Sequence, residues 1–200
     1  MSEKSDKIRV EVGAPDNVEK IQWTKDFKLK LEHFQKEAVS EDGSLAISIL
    51  PEFRIGLLGN QLTNYDITNL KIRSLFRPGD ANINRDIWPE TENEKVLLFY
   101  QGAFDLSEEI ARYAQTELEK KLFRKIFPCK GRGKSERRKF SQGDAQKQIK
   151  KLMTPFIKEF FVNLLQYEKN VGTPEKFKKN YSEYQSRFDR LRKDVSTNLN

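Results

Sequence analysis

The sequence predicts an α+β fold: a small N-terminal sheet, antiparallel, followed by a C-terminal layer of three long helices. Three observations predict it. Residues 8–104 hold short runs of alternating apolar and polar side chains, set apart by clusters of Pro, Gly, Asn and Asp, with no long helical crossover between them. From residue 105 onward apolar residues recur every three or four positions, the period of a helix with one buried face. One polar, strongly basic stretch at 128–143 interrupts this helical half and reads as a loop.

Taken in order, residues 1–7 read as a flexible tail. "KIRVEV" alternates, with Ile8, Val10 and Val12 on one face of a short strand. Residues 21–38 fit two periods: Trp23, Phe27, Leu31, Phe34 and Ala38 form a helical stripe, while Ile21, Trp23, Phe27, Leu29 and Leu31 fit a strand. The Lys, Leu, Glu and Gln content favours helix. "SEDG" is a turn, and Leu45, Ile47 and Ile49 mark a strand that Pro51 should end. "FRIGLLG" is a second extended piece and "YDITNLKIRSLF" a third, with imperfect alternation. Residues 77–94 form a turn-rich loop, and the apolar run "KVLLFYQGAF" reads as a central strand.

The first helix is expected from Asp105, whose spacing to Glu108 is that of a capping box, with Ser107 as the alternative cap, to the stop at Pro128. Its stripe is Ile110, Ala114, Leu118, Leu122 and Ile126. A second is expected from about Asp144, with Pro155 as a kink or a fresh start. Thr173 caps a third and Pro174 occupies its first turn. Along it Phe177, Tyr181, Tyr184, Phe188, Leu191 and Val195 follow at spacings of four, three, four, three and four. That seam must pack on the chain's own helices or bind a partner.

Composition limits the function classes. Fourteen Phe and two Trp can supply a core although 34% of residues are charged. The lone Cys129 excludes an internal disulfide and suits a reducing compartment. No run reaches the length of a membrane span, and "MSEKSDK" has no signal-peptide core. The expectation is an intracellular protein, cytoplasmic, or nuclear in a eukaryote, with no membrane partner.

The net charge of +7 is unevenly placed. Residues 124–151 hold eleven Lys or Arg against only Glu136 and Asp144, so this stretch alone carries +9. Its centre, "CKGRGKSERRKF", has two glycines and nothing apolar between Cys129 and Phe140. Dense cations suit a phosphate backbone, because binding releases condensed counterions. Glycine admits a close backbone approach, and Arg grips phosphate with two hydrogen bonds. The candidate nucleic-acid contacts are Lys130, Arg132, Lys134, Arg137, Arg138 and Lys139 in the stretch. Arg124, Lys125, Lys147, Lys150 and Lys151 flank it.

Catalysis has no signature here. His33 is the only histidine and lacks a nucleophile at useful spacing, and one Cys with one His cannot build a zinc site. Cations around Cys129 favour its thiolate, but a loop supports a nucleophile poorly. Asp80, Asp86, Glu90, Glu92 and Glu94 form an acidic loop that would serve a metal-dependent enzyme only if they converged. No catalytic residue, metal or cofactor is assigned. The reading is a non-catalytic, nucleic-acid-binding accessory subunit of a larger assembly. The alternative is a protein-interaction adaptor, its basic loop and aromatic last helix (Phe177, Tyr181, Tyr184, Phe188, Leu191) engaging an acidic protein.

Overall fold

Alternation writes the longest strands. Ile49, Pro51, Phe53, Ile55 and Leu57 are all buried at every second position, so β3 (Ile47–Leu58) runs straight through Pro51 instead of ending there. Pro51 lies just outside the described pairing with β1 (Lys7–Glu11), which starts at Glu52 opposite Glu11 and reaches Gly56 opposite Lys7. In β4 (Asn64–Phe76), Tyr65 and Ile67 are buried on odd positions but Leu70, Ser74 and Phe76 on even ones. Asn69, at φ +50°, absorbs that one-residue slip, which explains the imperfect alternation of the sequence.

The structure is a computed structural model that describes residues 7–11, 19–35, 46–59 and 61–194. Expectations for the first six residues, the "SEDG" turn, Val12, Ala38, Leu45 and Val195 lie outside the described residues. The antiparallel sheet has the order β1-β3-β4-β2, with β5 also on β4. Here β2 is Ile21–Gln22, paired with Leu75 and Phe76, and β5 is Ile126–Pro128, paired with Asn64 to Asp66. Three long helices complete the described chain: α1 (Asn93–Leu122), α2 (Lys134–Val171) and α3 (Pro174–Asp194). The predicted α+β class, sheet first and helices after, is the observed one.

Several elements differ from expectation. "KVLLFYQGAF" is the start of α1 and not a strand. Every residue from Phe99 to Ser107 is buried, so this stretch of about two and a half turns has no polar face to reveal its period. Asp105 is therefore a buried mid-helix residue and caps nothing. Residues 21–35 are not helical: after β2 they run irregularly to a short 3-10 turn at Leu31–His33. Helix α1 ends at Leu122, before Pro128, because Arg124 turns left-handed at φ +55°. Helix α2 starts at Lys134, so most of the expected loop 128–143 is helical, and it continues unbroken through Pro155. Thr173 and Pro174 hold the places assigned to them: the Lys176 and Phe177 N–H groups donate to Thr173 Oγ1 and O, at 3.4 and 2.8 Å.

The chain forms two compact units, and neither follows a division at residue 104. One comprises Met1–Ala14, Leu50–Arg73 and Ala111–Ile157; the other comprises Pro15–Ile49, Ser74–Ile110 and Lys158–Asn200. In the first, Phe53, Ile55, Tyr65, Leu118, Phe127, Ile149 and Met153 are buried, and Tyr65 stacks on Phe127 at 5.1 Å. Gln115 of α1 stands in for a neighbouring strand: its side-chain oxygen accepts from the Ile72 N–H and its amide donates to Leu70 O, both at 2.7 Å. In the second unit an aromatic cluster supplies the core. Phe99 stacks on Trp88 and Tyr167 at 5.4 Å each, and Phe177 meets Trp88 edge-on at 6.1 Å. Buried aromatics of this kind each remove about 150–250 Å² from water.

Candidate nucleic-acid interface

The basic stretch is a short, pinned turn leading into a helix. Cys129 N–H donates to Thr63 O at 2.7 Å, which ties the end of β5 to the start of β4. Gly131 takes φ +133°, a conformation that excludes a side chain, and an added Cβ would sit 2.8 Å from that of Glu136. Glu136, in the first turn of α2, accepts the Arg132 N–H at 2.8 Å. Arg137 donates from Nε to Gly131 O at 3.0 Å and from its terminal nitrogen to Gln61 O.

These anchors leave the charge free. The two acids of the stretch each accept from a neutral donor: Glu136 from the Arg132 backbone, and Asp144 from the Tyr65 hydroxyl at 2.6 Å. Among the described residues no carboxylate lies within ion-pair distance of Arg124, Lys125, Lys130, Arg132, Lys134, Lys139, Lys147, Lys150 or Lys151. All nine are exposed. Arg137 is spent on backbone carbonyls, so it positions the turn, and Arg138 has a contact of its own within the chain. Lys139, Lys147, Lys150 and Lys151 share the side of α2 opposite the buried Ser141, Ala145, Ile149 and Met153.

The charge lies where a helix least wants it. The first turn of α2 carries Lys134 and Arg137, although the N-terminal end of a helix dipole is already positive. Unpartnered helix N–H groups and clustered cations therefore add to one positive potential. Arg124 and Lys125, at the end of α1, lean on aromatic faces: Arg124 on Phe123 at 4.9 Å and Lys125 on Phe127 at 5.5 Å.

Other sequence candidates resolve differently. The α3 seam faces its own chain: Phe177, Phe188 and Leu191 are buried, Tyr181 stacks on Phe177 at 4.1 Å, and Tyr184 meets Tyr167 at 4.9 Å. Burial pushes the Tyr181 hydroxyl up to about 12. The seam thus supplies core, and the surface expected of it as a partner site is already occupied. Arg187 and Arg192, on the same helix, form ion pairs with Glu109 and Asp105 at 2.7 and 2.5 Å. Cys129 departs from the thiolate expectation: burial pushes its thiol up, against the opposing pull of the Arg137 guanidinium. His33 accepts the Lys30 N–H at its Nδ1 and stacks on Phe27, a local structural role. Among the described residues no three acids, His or Cys gather as a metal would need. No helix among them is long and apolar enough to cross a membrane.

Sequence reasoning passed over Phe123. It lies off the Ile110–Leu122 stripe, and that displacement was the available signal; it is 71% exposed at the turn after α1. The same turn exposes Ile126, which the stripe had placed inside. Comparison of the chain with protein-family models, with curated proteins and with solved structures finds no match in any of the three.

Proposed function

We propose that this protein binds nucleic acid through the turn at 129–133 and the first half of α2, as a non-catalytic accessory subunit of a larger assembly. One observation carries the reading: the acids of the +9 stretch are occupied by neutral donors while its lysines stay unpaired. A merely solvated charge run would gain by pairing with Glu136 and Asp144. Here both carboxylates hold the scaffold, and the cations are held outward by it. Backbone phosphates match such a surface, and contacts of this type position a strand without reading its bases.

The test is the salt dependence of oligonucleotide binding. Lys130, Arg132, Lys134 and Lys139 are exposed and carry no scaffold side-chain hydrogen bond, so their joint replacement by Gln leaves the fold intact. For a single strand the slope of log K against log salt should become shallower by about 3, at roughly 0.7 per phosphate contact. Absence of binding at low salt, or an unchanged slope in the variant, removes the reading. Displacement by polyglutamate at equal charge concentration would favour an acidic protein as the partner instead.

A further inference from the structure

We infer that the nucleic acid is single-stranded and that Phe123 is the platform on which one unstacked base lies; this rests on the function just proposed. A cleft of about 600 Å³ opens between residues 66–70 of β4 and the turn after α1. That is ample for a base with its sugar, since pockets for small ligands span about 300–1,000 Å³. Phe123, Arg124 and Lys125 line it from one side and Thr68 and Asn69 from the other.

Charge selects the occupant. The cleft's two acids each take a donor from within the chain: Asp66 from the Gly56 N–H at 3.1 Å, and Glu119 from the Gln115 amide. Its two cations have no carboxylate among the described residues and lie against rings. A ligand with a flat apolar face and a nearby negative charge satisfies both features, and a nucleotide has both. The Thr68 hydroxyl and Asn69 amide offer a donor and acceptors to a base edge.

The platform is built and held. Phe123 N–H donates to Glu119 O at 2.9 Å and Lys125 N–H to Leu122 O at 3.0 Å, closing the turn around the left-handed Arg124. A non-glycine residue in that conformation is uncommon and persists only where its surroundings hold it. The result keeps a large ring in water. A duplex, whose bases stay stacked, offers that ring nothing; a single strand offers a free base.

The experiment measures fluorescence anisotropy at low salt with labelled oligo-dT and oligo-U of about 20 nucleotides and with a duplex of the same length. Phe123→Ala should weaken single-strand binding about tenfold, while Phe123→Trp preserves it and duplex binding does not change. The tighter of the two single strands identifies DNA or RNA. Unchanged single-strand affinity in Phe123→Ala, or an equal loss for duplex, overturns this inference and leaves the proposed function standing. If the unmodified protein binds none of the three, both fall together.

Discussion

Arg192→Met leaves Asp105 buried without its cation. Asp105 is 2% exposed, and it accepts from Trp23 Nε1 at 2.7 Å, Gln101 Nε2 at 3.2 Å and Arg192 at 2.5 and 3.3 Å. Arg192 also donates to the carbonyls of Lys25 and Phe27 and lies over the Trp23 ring at 5.3 Å. It therefore fixes the irregular segment 23–29 to α1 and α3. Removing one partner of a buried pair costs about 3–5 kcal/mol, because the other charge is stranded. For a chain of this size that is a fall in Tm of roughly 6–20 °C, at about 2–4 °C per kcal/mol. Urea unfolding followed by tryptophan fluorescence, with calorimetry, measures it. The pH dependence tests the cause. Burial already lifts the Asp105 carboxyl above its ordinary 3.8, against the pull of its donors, and losing Arg192 must lift it further. A carboxyl raised in the folded state is favoured there protonated. Stability therefore falls as pH climbs from 3.8 through the raised folded value, and the variant's deficit should be larger at neutral pH than at acid pH. Asp105→Asn in the Arg192→Met background should recover part of the loss at neutral pH. A loss below about 1 kcal/mol, the range of surface pairs, or an equal loss across pH, refutes the reasoning.

Three further outcomes are expected. Gly102→Ala places a Cβ 2.1 Å from the Tyr167 hydroxyl and 2.8 Å from the Phe188 ring; overpacking of about 1–3 kcal/mol should outweigh the helix-propensity gain of about 1, and a variant more stable in urea would contradict it. Lys147, Lys150 and Lys151 changed together to Gln should lower the single-strand salt slope by about 2 with Tm unchanged; anisotropy and calorimetry on one sample check both. Glu168 is half-buried with its carboxyl raised by desolvation above 4.5, so Glu168→Gln should raise Tm at neutral pH, where the charge is disfavoured. That gain should vanish below the ordinary value, and a gain independent of pH would point to packing instead.

What the sequence made legible is what local periodicity encodes. The alternation at Phe53, Ile55 and Leu57 and the imperfect alternation of residues 65–76 are visible in the letters, and so is the seam from Phe177 to Leu191; the residue that takes up the slip, Asn69, is not. The run from Phe99 to Ser107 was unreadable for a physical reason: a segment buried on every side carries no period, and a buried strand and a buried helix look alike. The Asp105–Arg192 pair joins residues 87 apart, a distance that no pattern spans. The candidate site was legible as composition but not as shape. Charge counting located residues 124–151, yet repulsion among them argued for a loop, and the bonds from Glu136, Arg137 and Cys129 that convert it into a turn and a helix are tertiary.

Those bonds bear on why the charge is there at all. Lysines at the start of α2 oppose the helix dipole and repel one another, so they lower stability wherever they bind nothing. A chain under selection for stability alone would let Glu136, the acid of that first turn, and Asp144 answer the nearest cations. Instead Glu136 bonds a backbone N–H, Asp144 bonds a buried phenol, and Arg137 binds carbonyls. Each scaffold contact uses a neutral group on one side, so the turn is held without cancelling its field. That arrangement separates rigidity from neutralisation, and it leaves the positive field available to an anion from outside, as the proposed function requires.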